Sequence, residues 1–334
     1  MNAIFLNKSE ARIRDVFNPE NTAALHALVD LDDTVYSLPA VEAEPEKFKD
    51  VRYIFSTWGM ERPDEEQIRR LFPSLEAVFY AAGSVQAFAA PFLHCGVKVC
   101  SAWAANAVPV AEFTFAQIIL ANKGYFRATR ITPGGGHKKA DDFCKNYAGN
   151  YDATIGIIGA GMIGKMVIQK LKTLEHMTVL VFDPFLPEAV AEELGVEKVS
   201  LEELFERSHV VSNHLANNEQ TKGMLQERHF ASMKPFATFI NTGRAAQLEQ
   251  DGFFRVLQER PDLTALCDVT SPEPPEEGSP YYTYENIFLT PHIAGSEAHE
   301  RRRMSKYMVE ELERHLKGEQ NLYEVSLKML ETMA

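Results

Sequence analysis

Positions 154 to 183 constrain the fold of this chain more than any other stretch. An apolar run, Thr154-Ile-Gly-Ile-Ile158, leads into Gly159-Ala-Gly161-Met-Ile-Gly164, and a helical pattern, MVIQKLKTL, follows. Each glycine has its own reason. Gly159 permits a tight turn, Gly161 lets backbone approach a pyrophosphate, and Gly164 lets helix and strand pack closely. The N–H groups of Met162 and Ile163 then point at phosphates from the positive end of the helix. Three glycines alone are a weak signal, since other α/β folds also use glycine turns. Here a second apolar run, Val179 to Phe182, ends at Asp183, 19 residues past Gly164. A carboxylate at that place accepts hydrogen bonds from ribose hydroxyls and repels a 2′-phosphate. Pro184, Phe185 and Leu186 supply no cation to offset it. The expectation is a dinucleotide site that takes NAD rather than NADP.

The rest of the chain fits that start. Short apolar runs at Val51 to Ser56, Ala77 to Tyr80 and Val97 to Cys100 read as buried strands, and Pro63 to Phe72 as a helix with acids in its first turn. Pro109 is expected to open an apolar helix, PVAEFTFAQIILANKGYF. The stretch from Thr132 to Asn150, with Gly134-Gly135-Gly136 and little periodicity, reads as a loop or arm. From Thr154 onward strands are expected at 154–158, 179–182, 210–214, 238–241, 265–269 and 287–289, with helical patterns between several of them. Such alternation is the mark of a doubly wound, mostly parallel sheet. A charged amphipathic helix closes the pattern at about 297–316.

Bulk properties narrow the function classes. With 334 residues, 45% of them hydrophobic, two domains with real cores are expected. A formal net charge of −13 argues against sequence-independent binding to nucleic acid or to anionic membrane. Cys95, Cys100, Cys144 and Cys267 form no CxxC pair and no cluster with zinc spacing, so no metal is expected. Scattered thiols suit a reducing cytosol. The start, MNAIFLNKSEAR, has no basic stretch ahead of its apolar run and no cleavage-like site. The longest apolar stretch, Val108 to Ala121, is interrupted by Glu112 and Gln117 and is expected to be too short to span a bilayer. A soluble, cytoplasmic protein is expected.

Four further blocks carry a resemblance. They are Asn106-Ala-Val-Pro-Val-Ala-Glu112, Phe239-Ile-Asn-Thr-Gly-Arg244, Cys267-Asp-Val-Thr-Ser-Pro-Glu273-Pro and Leu289-Thr-Pro-His-Ile-Ala-Gly-Ser296. In order and spacing they resemble the D-isomer-specific 2-hydroxyacid dehydrogenase family, most strongly from Val97 to Gly318. The resemblance implies an α/β fold in which a doubly wound Rossmann NAD domain, residues 102–297, is inserted into a smaller flavodoxin-like α/β substrate domain, residues 1–101 and 298–334. It implies NAD as cofactor, a small 2-keto or 2-hydroxy acid as substrate, and Arg244, Glu273 and His292 as a catalytic triad. It places Thr242 and Asp268 at the cofactor, with Asp268 at the nicotinamide carboxamide. It aligns Ala81-Ala82-Gly83-Ser84 loosely with a substrate loop, whose N–H groups at Gly83 and Ser84 would hold a carboxylate opposite Arg244.

The chemistry supports those roles. Reducing a 2-keto acid needs a cation for the carboxylate, a proton donor for the developing alkoxide and a hydride source. Arg244 follows a strand end, where α/β sheets place ligands, and its planar fork suits a carboxylate. His292 follows another strand end and can give or take the proton. A carboxylate from Glu273 meeting His292 would fix the tautomer and favour the protonated ring. Taken singly, each has an ordinary reading: Arg244 a surface charge, His292 a capping or core histidine, Glu273 a solvated side chain like Glu276 and Glu277, Asp268 a strand-end turn residue. His214 reads as structural support. Arg301-Arg302-Arg303 reads as one charge-paired face of a helix that also carries Glu300, Glu310 and Glu311.

The departures fall near the substrate. Arg244 is followed by Ala245-Ala246-Gln247, where the family often has Arg-Gly, so the loop is expected to differ in shape. Thr57-Trp58-Gly59-Met60 stands where phosphoglycerate-specific relatives carry a basic residue, so Trp58 is expected to wall a pocket for a non-phosphorylated acid of glyoxylate or hydroxypyruvate type. Formate oxidation is disfavoured, because that branch carries Gln at the Glu273 position. A homodimer through the NAD domains is expected from the apolar helix and the arm after it. The rival reading is an NAD-sensing, corepressor-like binding protein on the same fold, which would keep the triad.

Overall fold

The computed structural model describes residues 1–330. The last four residues, 331–334, belong to the segment expected to complete the substrate domain and lie outside the described residues. The chain divides into two compact units: Met1–Ala107 with the segment from Ser296 onward, and Val108–Gly295.

The first unit is built on five strands: β1 (Ala3–Leu6), β2 (Leu31–Tyr36), β3 (Tyr53–Ser56), β4 (Ala77–Tyr80) and β5 (Lys98–Ser101). Their order is β2-β1-β3-β4-β5 and every pairing is parallel, which is the flavodoxin-like arrangement. Alternate residues feed two cores, as the period of a strand requires. Ile4, Ile54, Val78 and Val99 join one cluster, and Phe5, Phe55 and Phe79 the other. The helix Arg301–Leu316 covers the aromatic face through Met304, Met308 and Leu312. Its buried Glu311 accepts the N–H groups of Leu322 and Tyr323, which anchors the chain beyond the helix.

The second unit carries seven strands: β6 (Thr154–Ile158), β7 (Thr178–Phe182), β8 (Glu197–Lys198), β9 (Val210–Asn213), β10 (Thr238–Asn241), β11 (Thr264–Cys267) and β12 (Ile287–Leu289). The order is β12-β11-β10-β9-β6-β7-β8, all parallel. The winding reverses between β6 and β9, so loops at the carboxyl ends of both open a crevice there. All the loops after β6, β7, β9, β10, β11 and β12 emerge from the same edge of the sheet.

Three strands escape a sequence reading. β2 and β8 lie at sheet edges, and the middle of β2 is polar and solvent-facing. β1 is only four residues long. Two other expectations are corrected. The apolar helix begins at Trp103, not at Pro109, and runs to Ala121 with the proline inside it. At 19 residues it is therefore long and apolar enough, by length and composition, to cross a membrane; 56% of its apolar window is buried inside the protein, and Ala111, Ile118 and Ala121 belong to the core of the second unit. The stretch 132–150 is not a loop alone: it contains the helix His137–Cys144, whose Phe143 packs edge-on against Phe236 and lies under the Arg127 guanidinium.

Candidate active site

The glycine turn takes its shape from close packing. Gly159 has a φ of +88°, and a Cβ there would stand 2.8 Å from the carbonyl oxygen of His214. A Cβ on Gly164 would stand 2.1 Å from the carbonyl oxygen of Gly159. Gly161 differs: nothing lies within 4 Å of where its Cβ would be, so this face of the turn is open. The helix Met162–Leu171 starts there, and its first internal bond is Lys165 N–H to Gly161 O. The N–H groups of Met162, Ile163 and Gly164 are thus left without helical acceptors beside an open backbone surface. Asp183 follows β7 and is held in place by the N–H groups of Ala160 and Phe185, each at 2.8 Å on a different oxygen. Room above Gly161, free donors at a helix start and a fixed carboxylate at the end of the second strand fit a dinucleotide.

Three neighbouring strands, β10, β11 and β12, deliver the reactive side chains. His292 Nδ1 lies 2.7 Å from Glu273 Oε1. A carboxylate oxygen can only accept, so Nδ1 carries the hydrogen and Nε2 is the nitrogen left for chemistry. His292 itself has a φ of 57°, a left-handed conformation that few non-glycine residues adopt. Asp268, buried at the end of β11, holds it there. Its Oδ1 accepts Thr290 Oγ1 at 2.6 Å and Ile293 N–H at 2.9 Å, and its Oδ2 accepts Ala294 N–H at 2.8 Å. The structure thus gives Asp268 a task that the sequence reading did not assign. Instead of a carboxylate waiting for the cofactor alone, it clamps the loop that presents His292.

Arg244, three residues past β10, donates from Nη1 to Gly243 O at 2.7 Å and forms no ion pair among the described residues. Desolvation holds its guanidinium below the ordinary arginine range, with the Glu273 charge acting in the opposite direction. A half-buried, unpaired cation beside a carboxylate-backed imidazole is what an incoming anion with a reducible carbonyl requires. Thr242, also buried, places its Oγ1 3.2 Å from Thr114 Oγ1. His214 bonds Ser212 Oγ through Nε2 at 2.9 Å, and burial pulls its pKa down to about 4, so it is a neutral support.

In the first unit, Ala82, expected in the substrate loop, is fully buried and its N–H donates to Tyr80 O. Gly83 and Ser84 differ, since neither N–H has an acceptor among the described residues. Ser101 Oγ fixes the same loop by donating toward the Ala82 and Gly83 carbonyls. Trp58 is partly buried against both cores, with the Arg301 guanidinium 5.9 Å from its ring centroid. Arg301 is paired with Asp15 and with Glu297. Among the described residues no group of three or more His, Cys, Asp or Glu could hold a metal ion.

This geometry is that of an α/β protein with an open glycine turn, a carboxylate-backed histidine and an arginine without an ion-pair partner among the described residues. Comparison with known proteins gives the family. The profile described as D-isomer specific 2-hydroxyacid dehydrogenase, NAD binding domain, matches residues 115–294. The chain belongs to the D-isomer-specific 2-hydroxyacid dehydrogenase family, and its second unit is an NAD-binding domain of that family. It is 33% identical over 210 residues to a glyoxylate reductase of Korarchaeum cryptofilum (strain OPF8), covering 63% of each chain. It is 29% identical over 227 residues to a D-3-phosphoglycerate dehydrogenase of Methanocaldococcus jannaschii, covering 67% of this chain and 42% of that one. The chain thus spans about half the length of the curated relatives it matches first. Among solved structures, a phosphoglycerate oxidoreductase from Rhizobium etli superposes with a TM-score of 0.81 at 21% identity, over 98% of this chain and 99% of the other, which shows a shared fold.

Proposed function

We propose that the chain is an NAD-dependent dehydrogenase that interconverts a small 2-keto acid and the corresponding D-2-hydroxy acid. The observation that carries this reading is the His292–Glu273 pair at 2.7 Å beside an Arg244 without a counter-ion. NADH, when bound, supplies the hydride. Arg244 takes the substrate carboxylate through its planar fork and draws electron density from the keto oxygen. Nε2 of His292 gives its proton to that oxygen in reduction and takes it back in oxidation, while Glu273 stabilises the charged ring and fixes its tautomer. Met162, Ile163 and Gly164 offer N–H groups to the pyrophosphate, Asp183 takes the ribose hydroxyls, and Thr242, one residue past β10, is a further cofactor contact. Gly83 and Ser84 are the remaining donors suited to a substrate carboxylate.

The reading extends to substrate class. A non-phosphorylated acid of glyoxylate or hydroxypyruvate type is favoured, because Thr57-Trp58-Gly59-Met60, directly after β3, bring no cation and Arg301, the one above Trp58, is already paired with two acids. Arg12, whose Nη1 stands 3.5 Å from where a Gly59 Cβ would be, and Arg62, whose charge like that of Arg12 acts on Tyr80, are the cations a phosphate would have to use instead. Two copies are proposed to pair through the NAD domains, in a reducing cytoplasm, with the incompletely buried helix Trp103–Ala121 as the pairing element; a single monomeric mass in solution would sink the dimer.

The test is a panel of 2-keto acids assayed with NADH. Turnover of glyoxylate or hydroxypyruvate above 3-phosphohydroxypyruvate is the expected result. The reverse order overturns the substrate class. Tight NADH binding with no turnover across the panel overturns the enzyme reading in favour of a cofactor-sensing protein.

A further inference from the structure

Arg244 is followed by Ala245-Ala246-Gln247, and Gln247 is fully buried. A primary amide has two donor hydrogens and two acceptor positions. All four are filled. Nε2 donates to Leu215 O at 2.8 Å and to Ala216 O at 3.0 Å. Oε1 accepts Asn213 Nδ2 at 2.6 Å and the Arg244 backbone N–H at 3.3 Å. The orientation is fixed by the partners, since a flipped amide would set donors against donors and oxygens against oxygens.

Two further buried amides extend this contact. Asn213 ends β9 and Asn241 ends β10. Asn213 Nδ2 also donates to Asn241 Oδ1 at 3.1 Å, and that oxygen accepts Gly243 N–H at 3.1 Å. Asn241 Nδ2 reaches Arg244 O at 3.4 Å, and Asn213 Oδ1 accepts Leu215 N–H at 3.2 Å. Both backbone polar groups of Arg244 are therefore held by side-chain amides. The packing at Gly243 is tight: a Cβ there would stand 3.1 Å from Gln247 Oε1 and 3.2 Å from Asn213 Nδ2. On its other side, the segment that Gln247 grips continues from His214, whose carbonyl packs against Gly159 of the cofactor turn.

We infer that Gln247 is a positioning residue that sets Arg244 in register with the cofactor turn, by bridging the loop after β9 to the loop after β10. Ala245 and Ala246 leave the loop without the glycine freedom common in relatives, and Gln247 supplies a fixed geometry in its place. The role lies upstream of substrate contact: Gln247 acts through the Arg244 backbone and the 215–216 carbonyls. It rests on the proposed function only in assigning Arg244 to the substrate carboxylate.

The test uses the full chain with Gln247→Met, which keeps length and removes all four bonds, and Gln247→Glu, which keeps the acceptor face and removes both donors. Three readouts are taken: NADH affinity by fluorescence, affinity of the NADH complex for oxamate, and kcat and KM for the best keto acid. Oxamate affinity and kcat/KM are expected to fall by about tenfold or more in Gln247→Met, because small displacements of a binding group are costly in rate. NADH affinity is expected to stay near the wild-type value, and Gln247→Glu to lie between. If Gln247→Met does not bind NADH, Gln247→Glu carries the comparison. Equal loss of NADH and oxamate affinity in both variants, or no loss in either, overturns the inference. If the wild type neither binds oxamate nor reduces any keto acid, the proposed function fails. The positioning role is then decided by a crystal structure of a Gln247 variant, in which an unmoved 243–244 backbone overturns it and a displaced one supports it.

Discussion

Glu273 and His292 lie on loops from adjacent strands and meet at 2.7 Å between Oε1 and Nδ1. The contact leaves Nε2 as the nitrogen free to exchange a proton. Replacing His292 with Ala should lower kcat by about 10²- to 10⁴-fold while NADH binding persists. Glu273→Gln should lose less, because an amide oxygen still accepts from Nδ1 but no longer balances the charged ring. Stopped-flow turnover and fluorescence titration of NADH check both. Turnover preserved in His292→Ala would remove this residue from the chemistry.

Arg244 has no ion-pair partner among the described residues. Arg244→Lys keeps the charge but loses the planar fork, so kcat/KM should fall by about a hundredfold or more, with KM for the keto acid rising. Steady-state kinetics of the Lys and Ala variants measure it. A Lys variant close to wild type would mean that charge alone suffices.

Asp268→Asn places an NH₂ group where either Ala294 N–H or Ile293 N–H and Thr290 now donate. At least one buried donor loses its acceptor, at a cost of about 2 kcal/mol. The melting temperature should drop, and kcat with it, because the same loop carries His292 at a φ of 57°. A variant as active and as stable as the parent contradicts the clamp.

Gly164→Ala puts a methyl group 2.1 Å from the backbone oxygen of Gly159, so one of the two must shift. The turn must open, and NADH affinity should fall by about tenfold or more. Isothermal titration gives the number directly. Gly161→Ala is the control: its methyl meets no protein atom, so any loss there reports contact with the cofactor alone.

His214 links stability to pH. Its folded pKa near 4 lies below the ordinary value of 6.5, so between these values the unfolded chain binds more protons than the folded one. Stability due to the neutral ring is present above pH 6.5 and is lost as the pH falls toward 4, by about 3 kcal/mol in all. Urea denaturation at pH 7 and pH 4.5 should show a smaller loss in His214→Gln than in the parent. Equal losses would remove His214 as the cause.

The fold was legible where residues had to be apolar or had to be glycine. The strands at 77–80, 154–158 and 238–241 stand out because parallel strands covered on both faces admit few polar side chains. β2 and β8 were hidden because an edge needs less apolar surface, and the helix at 103–121 was misread at its start because Pro109 looks like an opening residue and is not one here. The site was legible in part. Arg244, Glu273 and His292 announce themselves by residue type and block. Gln247, Asn213 and Asn241 do not, though polar residues closing the apolar runs VVSN and TFIN, and a glutamine where glycine-rich loops are common, were the available signals.

A glycine turn between Gly159 and Asp183, a doubly wound sheet, and an arginine, a glutamate and a histidine placed after strand ends could all be read from the residues in order. These follow from local rules: which residues tolerate a tight turn, which alternate into a core, and which carry a titratable or charged group. How those groups are held depends on the folded sheet. Asp268 serves as a clamp because β11 and the loop after β12 are neighbours in the sheet. Gln247 can grip Leu215 and Arg244 together because β9 and β10 are adjacent strands. Hydrogen bonds between residues distant in sequence depend on strand order, and strand order is a property of the folded sheet.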